Sequence, residues 1–515
     1  MAVVGKLIKK SISYRKKALK IEQDAVKQQY KTFRKLIKKA EATEFGKQFL
    51  FSQILTAKYD IGLFQNLVPV YSYEKINLEW WRKMRYGLAD VCWPGSIKYF
   101  ALSSGTSDAS SKYIPVSKQM LKSIRKTSMR QIYSMANYDL SEETFEKQIL
   151  MIGGSASLTE KDEKYFGDMS GISVAHAMPN WFSSQYFKPG YEIASIPEWN
   201  DRVEAIVQNA KDWDISIVCG IPNWVQMIFE KIVERYNVKT IHDIWPHLEI
   251  YVHGGIFFDP YKQTFKSLLG KEIIYAETYM ASEGYFGFTE YEHADGIQLI
   301  FNNGIFYEFI PFDEKYFDEQ GNVLKGAPVF TIADVEPDVE YAILISNNSG
   351  AWRYLLGDVI KFVNVHEHTI KIIGRTKHYL SVCDEHLSID NMTTAFQNTC
   401  EELNMHVNEF TVMPMEDKQH FAHKWYIGSS VLSSPEIFAK RLDKHLNKVN
   451  DDYKAARNSI LGMPKVEFIP TQLFYEWLSS MGKEGNQFKI PRVLKGDSLE
   501  SWIRFLENAV IEVKK

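Results

Sequence analysis

Five consecutive small residues, Ser103, Ser104, Gly105, Thr106 and Ser107, followed by Lys112, gather hydroxyls, a glycine and a cation into one short stretch. Backbone N–H groups and hydroxyls there supply convergent donors, the glycine lets the main chain approach an anion, and the lysine adds positive charge. A nucleotide polyphosphate is the ligand such a loop suits. The loop is not a Walker A motif, since G-x-x-x-x-G-K-[ST] occurs nowhere, and no G-x-G-x-x-G marks a dinucleotide fold. An ordinary surface turn has the same composition, so the loop speaks to function only with residues downstream. Two other patterns carry less. His386 to Asp390 has the spacing of an H-x-x-x-D acyltransferase signature but opens a helix, and His366 with His368 has no third metal ligand at useful spacing.

The elements that must hold these residues read as an α/β fold. Apolar runs at 148–152, 215–219, 248–252 and 272–275 each end in turn-forming or polar residues: Gly153 and Gly154; Gly220 to Trp224; His253, Gly254 and Gly255; Ala276 to Tyr279. Ligands of open α/β sheets bind at the carboxyl ends of strands, so these loops are expected to line one cleft. Upstream, Leu36, Ile37, Ala40, Phe45, Phe49 and Phe51 predict a helical wrapper. From 296 to 362 strand follows strand, as at 304–311 and 341–345, which predicts an antiparallel or barrel-like subregion. A Gly-and-charge turn at Gly374, Arg375, Thr376 and Lys377 then precedes a helix at 389–403, strands at 410–413 and 424–427, a helix at 434–450 and a strand at 466–469. The expected architecture is a large N-terminal domain of mixed sheets over 1–375 and a smaller C-terminal α/β domain over 376–515.

Bulk properties narrow the function. A chain of 515 residues exceeds one ordinary core, and 45% hydrophobic with 14% aromatic residues exclude disorder as the default. A net charge of −3 gives no reason to expect nucleic acid. Lys9, Lys10, Arg15, Lys16, Lys17 and Lys20 alternate with apolar residues at helical spacing and read as a solvated face. Cys92, Cys219, Cys383 and Cys400 show no C-x-x-C spacing, no signal segment opens the chain, and no apolar run spans a bilayer. The expectation is a soluble, cytoplasmic protein without membrane partners, in which the sequons at Asn347 and Asn391 are chance.

Four separated segments occur in an order that resembles adenylate-forming enzymes: 103–107, Thr278 to Gly284, Arg353 to Asp358 with Gly374 and Arg375, and Gln487 to Arg492. More closely, the chain resembles the auxin-responsive Gretchen Hagen family of acyl acid amido synthetases in its bacterial form. The likeness extends to Ala42–Gly46, Val68–Tyr71, Trp93–Phe100 and His253–Gly255. It implies the adenylate-forming architecture, in which the small C-terminal domain over 376–515 is mobile about a hinge near Arg375, and a ligase that uses ATP and Mg²⁺ to turn a carboxylic acid into an acyl-adenylate, then passes the acyl group to the amine of an amino acid. Two rivals stay open: acyl transfer to coenzyme A within the same superfamily, and a non-catalytic protein that binds an acyl acid or adenylate.

The resemblance also implies roles. Ser103 to Ser107 would hold phosphates, with Gly254, Gly255 and Ser282 contributing to the nucleotide site. Tyr279 would stack on adenine, Glu283 would approach Mg²⁺ and phosphate, and Asp358 would accept from the ribose hydroxyls. Arg375 is a candidate for ribose or phosphate, whereas Lys377 reads as a solvated turn residue. Lys489, preferred to Lys483, would swing in to neutralise the α-phosphate. Asp108 and Ala109 stand where the plant-type loop carries glycine, which leaves its reach toward the γ-phosphate open. The loop 220–224 and the helix 117–133 fall where the family places its acyl pocket, without naming an acid.

Overall fold

The computed structural model describes residues 6, 9–14, 24–103, 112–177, 186–256, 258–313, 315–318, 321–376, 387–417, 420–429, 434–457, 461–482 and 490–513. Ser104, Gly105, Thr106, Ser107, Lys377, His386, Lys483 and Lys489 lie outside the described residues. The chain divides into two compact units, one built on 1–103, 112–257 and 265–372, the other on 258–264 and 373–515.

Strands of the first unit are β1 (Tyr99–Ser103), β2 (Lys112–Val116), β3 (Gln148–Met151), β4 (Thr159–Lys161), β5 (Lys164–Gly167), β6 (Phe187–Lys188), β7 (Ile215–Gly220) and β8 (Ile250–Gly254). They continue as β9 (Ile274–Ala281), β10 (Gly284–Phe288), β11 (Ile297–Leu299), β12 (Ile305–Pro311), β13 (Glu340–Asn347), β14 (Tyr354–Asn364) and β15 (Thr369–Arg375), the last of which ends in the second unit from Ile373 onward. A four-stranded sheet has the order β2-β1-β5-β4, and an eleven-stranded sheet the order β12-β13-β14-β15-β11-β10-β9-β8-β7-β3-β6. Strands β9, β8, β7, β3 and β6 run parallel, and β9 also turns back antiparallel onto β10. The apolar runs at 148–152, 215–219, 248–252 and 272–275 and the strands after 296 thus belong to one sheet.

Sequence explains most of these elements. Ile215, Ser216, Ile217 and Val218 of β7 are all buried, as expected for a parallel strand covered on both faces. The polar Ser216 is satisfied by donating to Thr144 O at 2.8 Å. The helix Ala25–Ala40 is capped by Asp24, whose carboxylate accepts from Lys27 N, and Phe33, Leu36, Ile37 and Ala40 form its buried stripe. From the same stripe Gln29 reaches β12, donating to Ile305 O at 2.9 Å and accepting from Tyr307 N at 2.8 Å. Phe45 and Phe51 complete the wrapper and are fully buried.

One expectation is corrected. The stretch from Ala276 to Tyr279 is not a loop after a short strand, because β9 runs on to Ala281 and pairs Tyr279 with Gly287 of β10. Glu277 and Thr278 interrupt the apolar run in sequence, but the partner strand supplies their ladder hydrogen bonds. The motif therefore lies on a hairpin whose turn carries Ser282 and Glu283.

In the second unit, β16 (Phe410–Asp417), β17 (His420–Gly428) and β18 (Lys465–Ile469) form a three-stranded sheet flanked by helices Ile389–Glu402 and Pro435–Val449. Helices Thr471–Ser480 and Gly496–Val513 pack Phe474, Trp477 and Trp502 into a separate core with Tyr426. Among the described residues no helix is long and apolar enough to cross a membrane.

Candidate active site

The β9–β10 hairpin and β14 bring together three of the residues singled out from sequence. The Tyr279 hydroxyl donates to Asp358 Oδ2 at 2.7 Å, and its ring packs against Phe286 with centroids 4.7 Å apart. Gly357, immediately before Asp358, has φ +90, a left-handed conformation that glycine adopts without a Cβ penalty. Glu283 is buried in the hairpin turn, where the Tyr354 hydroxyl donates to its Oε1 at 3.3 Å. Its carbonyl accepts from Asn347 Nδ2 at 2.9 Å. Asn347 Oδ1 in turn accepts from Ser349 N and Ala351 N, so one buried amide ties the hairpin turn to the turn between β13 and β14.

At the neighbouring strand end, Gly254 lies opposite Thr278 in the β8–β9 register. A Cβ on Gly254 would come within 2.4 Å of Thr278 O, so any side chain there forces the two strands apart. Thr278 Oγ1 donates to His253 O at 3.0 Å, and Gly255 follows in the turn. Ser103 ends β1 opposite Lys112 at the start of β2, which places these two residues side by side at one end of the β1–β2 ladder. Arg375 ends β15 and belongs to the second unit.

Arg353, in the same segment as Asp358, has a structural task. Its Nε donates to both oxygens of Glu308, at 3.1 and 3.3 Å, and its Nη1 to the carbonyls of Gln65 and Val68 at 2.8 and 2.7 Å. Burial pushes the Glu308 carboxyl up, against the pull of Arg353 and of the Gln65 amide. Tyr71 N donates to Arg353 O and Leu355 N to Tyr71 O, so the chain before Tyr73 is stitched to the start of β14.

Two patterns noted in the sequence find other places in the molecule. Asn347 and Asn391, the sequon asparagines, both make structural hydrogen bonds; Asn391 forms a reciprocal capping box with Ser388 at the helix Ile389–Glu402. His368 packs edge-on against Phe301, and among the described residues no group of three or more His, Cys, Asp or Glu could hold a metal ion. Cys92, Cys219 and Cys400 are free thiols whose ionisation burial pushes up, to about 12 for Cys219 and Cys400, so none of these three is a thiolate near neutral pH. Tyr354 and Asn347 are site residues that the motifs do not mark. Tyr354 lies inside the Arg353 to Asp358 segment, and that adjacency is the available signal.

Residues 15–221 match the GH3 family N-terminal domain, 298–375 the GH3 family central domain and 390–498 the GH3 family C-terminal domain. The chain is 26% identical over 369 residues to an indole-3-acetic acid-amido synthetase, GH3.4, of Arabidopsis thaliana, covering 67% of this chain and 55% of that protein. It is 21% identical over 573 residues to jasmonoyl-L-amino acid synthetase JAR4 of Nicotiana attenuata, covering 96% of this chain and 95% of that one. Its fold is similar to AtGH3.15 acyl acid amido synthetase in complex with 2,4-DB, with a TM-score of 0.75 at 15% identity over 97% and 96% of the two chains. The fold is less similar to 2-hydroxyisobutyryl-CoA ligase in the postadenylation state, at TM-score 0.58 and 11% identity over 94% and 91%. Three family domains, matched in order over most of the chain, establish that it belongs to the GH3 family.

Proposed function

We propose that this protein is an ATP-dependent acyl acid amido synthetase acting on a small carboxylic acid and an amino acid. The observation that carries the reading is the 2.7 Å hydrogen bond from Tyr279 to Asp358, which joins two segments far apart in sequence whose family roles both concern the nucleotide. The ring of Tyr279 stacks on adenine, and Asp358 takes the ribose hydroxyls, since a carboxylate offers about four acceptor sites and the tyrosine bond fixes its orientation. Gly254 and Gly255 allow the main chain to approach the ligand, and Ser282, the hydroxyl-rich loop starting at Ser103, and Arg375 add donors.

A carboxylate is a poor electrophile until its oxygen carries a better leaving group. In the first half-reaction a carboxylate oxygen bonds to the α-phosphorus, the α–β phosphoanhydride bond breaks, and pyrophosphate leaves. In the second, the amino nitrogen bonds to the acyl carbon, the acyl–oxygen bond breaks, and AMP and a proton depart. Lys489, three residues before Arg492, neutralises charge on the α-phosphate during the first. Glu283, a hard oxygen donor in a buried turn, would hold Mg²⁺ jointly with nucleotide phosphates, because Mg²⁺ characteristically pairs one or two carboxylates with substrate phosphates. When bound, the ion spreads the charge that develops on pyrophosphate.

The test is ATP–pyrophosphate exchange across a panel of carboxylic acids, followed by product formation with amino acids or coenzyme A. Exchange that needs only an acid, with product that needs an amine, supports the reading; product with the thiol alone replaces it with acyl-CoA ligation. Lys489→Ala should bind ATP as the parent does and slow exchange by about two orders of magnitude or more.

A further inference from the structure

We propose that Arg202 receives the α-carboxylate of the amino acid substrate, and so selects amino acids over simple amines. The inference rests on the amido synthetase reading above and adds a residue that no motif marks. Arg202 lies on the helix Trp199–Asn209 and is 4% exposed. A guanidinium is a planar fork of N–H donors that keeps its charge at any working pH. Among the described residues, its side chain makes only one hydrogen bond, a long one of 3.5 Å from Nη1 to Ala194 O, and the buried Nε has no partner. Burial pulls its pKa down, opposed by the attraction of Asp168, and no ion pair holds it among the described residues. An enclosed cation so poorly paired is costly, and a bound anion removes the cost.

Its surroundings place the guanidinium where ligands of an α/β sheet bind, at the carboxyl ends of strands. The helix Tyr191–Ala194 follows β6, and Ala194 O also accepts at 2.9 Å from Ala156 N, in the segment that follows β3. One residue on, Ser195 Oγ is a second buried polar atom without a partner among the described residues. Arg202 Cζ sits over the Trp199 ring at 5.1 Å, and Trp199 packs on Trp224 with centroids 4.4 Å apart. An indole face steadies a cation and leaves its in-plane N–H donors for a ligand. β3 is the third strand from β9 in the large sheet, about 14 Å away, so the guanidinium lies along the same edge as Gly254 and Tyr279 but well to one side of them. The chemistry of the reaction picks out the anion. The acid's carboxylate loses its charge on adenylation, whereas the α-carboxylate of the amino acid keeps its charge throughout and needs a standing countercharge. An arginine fork matches a carboxylate with two parallel hydrogen bonds.

The test compares product formation by the full chain from the amino acid it accepts best and from the α-carboxamide of that amino acid, close in shape but neutral. Arg202→Met should lower kcat/KM for the amino acid about ten-fold or more, the scale of one lost charged hydrogen bond, and change that for the carboxamide by less than about two-fold. Acid-dependent ATP–pyrophosphate exchange, which needs no amine, should proceed as in the parent. Equal loss with both nucleophiles would show that Arg202 only supports packing, loss of exchange would place the acyl acid or a phosphate on it, and no loss would leave it without a role; each overturns the proposal. Should Arg202→Met not fold, Arg202→Gln, which removes the charge but keeps a polar end, separates the same outcomes. A parent protein without acid-dependent exchange, or with product from a thiol alone, defeats the amido synthetase reading itself, and this inference with it.

Discussion

Each of the two units contains a buried Arg–Glu pair, and the pairs solve the same problem differently. In the first unit Arg353 and Glu308 are 5% and 0% exposed, and the guanidinium divides its donors between the carboxylate and two backbone carbonyls. In the second, Arg492 and Glu409 are 13% and 4% exposed, with Arg492 Nη1 3.0 Å from Glu409 Oε2 and also donating to Phe410 O. There Glu409 Oε1 accepts from the hydroxyls of Tyr261, at 2.7 Å, and Tyr475, at 3.3 Å. Glu308 is held by the arginine and one amide, from Gln65, whereas Glu409 has two phenols besides. An enclosed charge is costly to strand, and neutral donors lower the cost.

The largest expected effect comes from removing the arginine with the less supported partner. Arg353→Met should destabilise the protein by about 3–5 kcal/mol in urea unfolding, because it strands Glu308. The double variant Arg353→Met, Glu308→Leu should recover most of that loss. Arg492→Met should cost less, about 2 kcal/mol, since Tyr261 and Tyr475 still donate to Glu409. Equal losses for the two arginines would erase the distinction between the pairs. Tyr261→Phe, which removes one of the phenols, should cost about 1 kcal/mol by itself and raise the cost of Arg492→Met in the double variant.

The smallest effect is a pH dependence carried by Glu308. Burial raises the folded-state pKa of Glu308, so the folded protein favours its protonated form. That contribution is fully present below the unfolded value of about 4.3 and is lost as pH rises through the folded value. Thermal midpoints of the parent and of Glu308→Gln, measured from about pH 3.5 to 7, should therefore differ by an amount that changes across that window and then levels off. A constant difference would mean that Glu308 does not titrate there.

Much of this molecule is legible in its sequence, and the illegible parts have a common cause. The runs at 148–152 and 215–219 announce β3 and β7 because a strand covered on both faces must be apolar throughout. The second unit's helices are readable for a related reason: Ser388 and Ser434 cap them where the apolar periodicity begins. The β9–β10 hairpin is hidden because its stability lies in cross-strand partners, which the local run of Ala276 to Tyr279 does not display. Tyr279, Glu283 and Asp358 can be named from the order of motifs, yet the bond between Tyr279 and Asp358 depends on a sheet register joining β9 to β14 through three intervening strands. Glu308 is hidden most completely. It sits in the apolar stretch 304–311 as a single acid, and nothing nearby in sequence points to Arg353.

Gln29 bears on how the large sheet ends. An amide side chain carries the same donor and acceptor as a peptide group, and by bonding to Ile305 O and Tyr307 N this one imitates a single residue of a neighbouring strand. At the opposite margin β6 is only Phe187–Lys188, too short to template a partner, while the next outward-facing groups of β12, Phe309 N and O, are bonded to Phe330. The N-terminal helix and the segment at Phe330 thus share the outer row of this strand between them. Replacing the glutamine by a residue without an amide would leave one peptide-sized gap, at Ile305 O and Tyr307 N, in an otherwise completed margin.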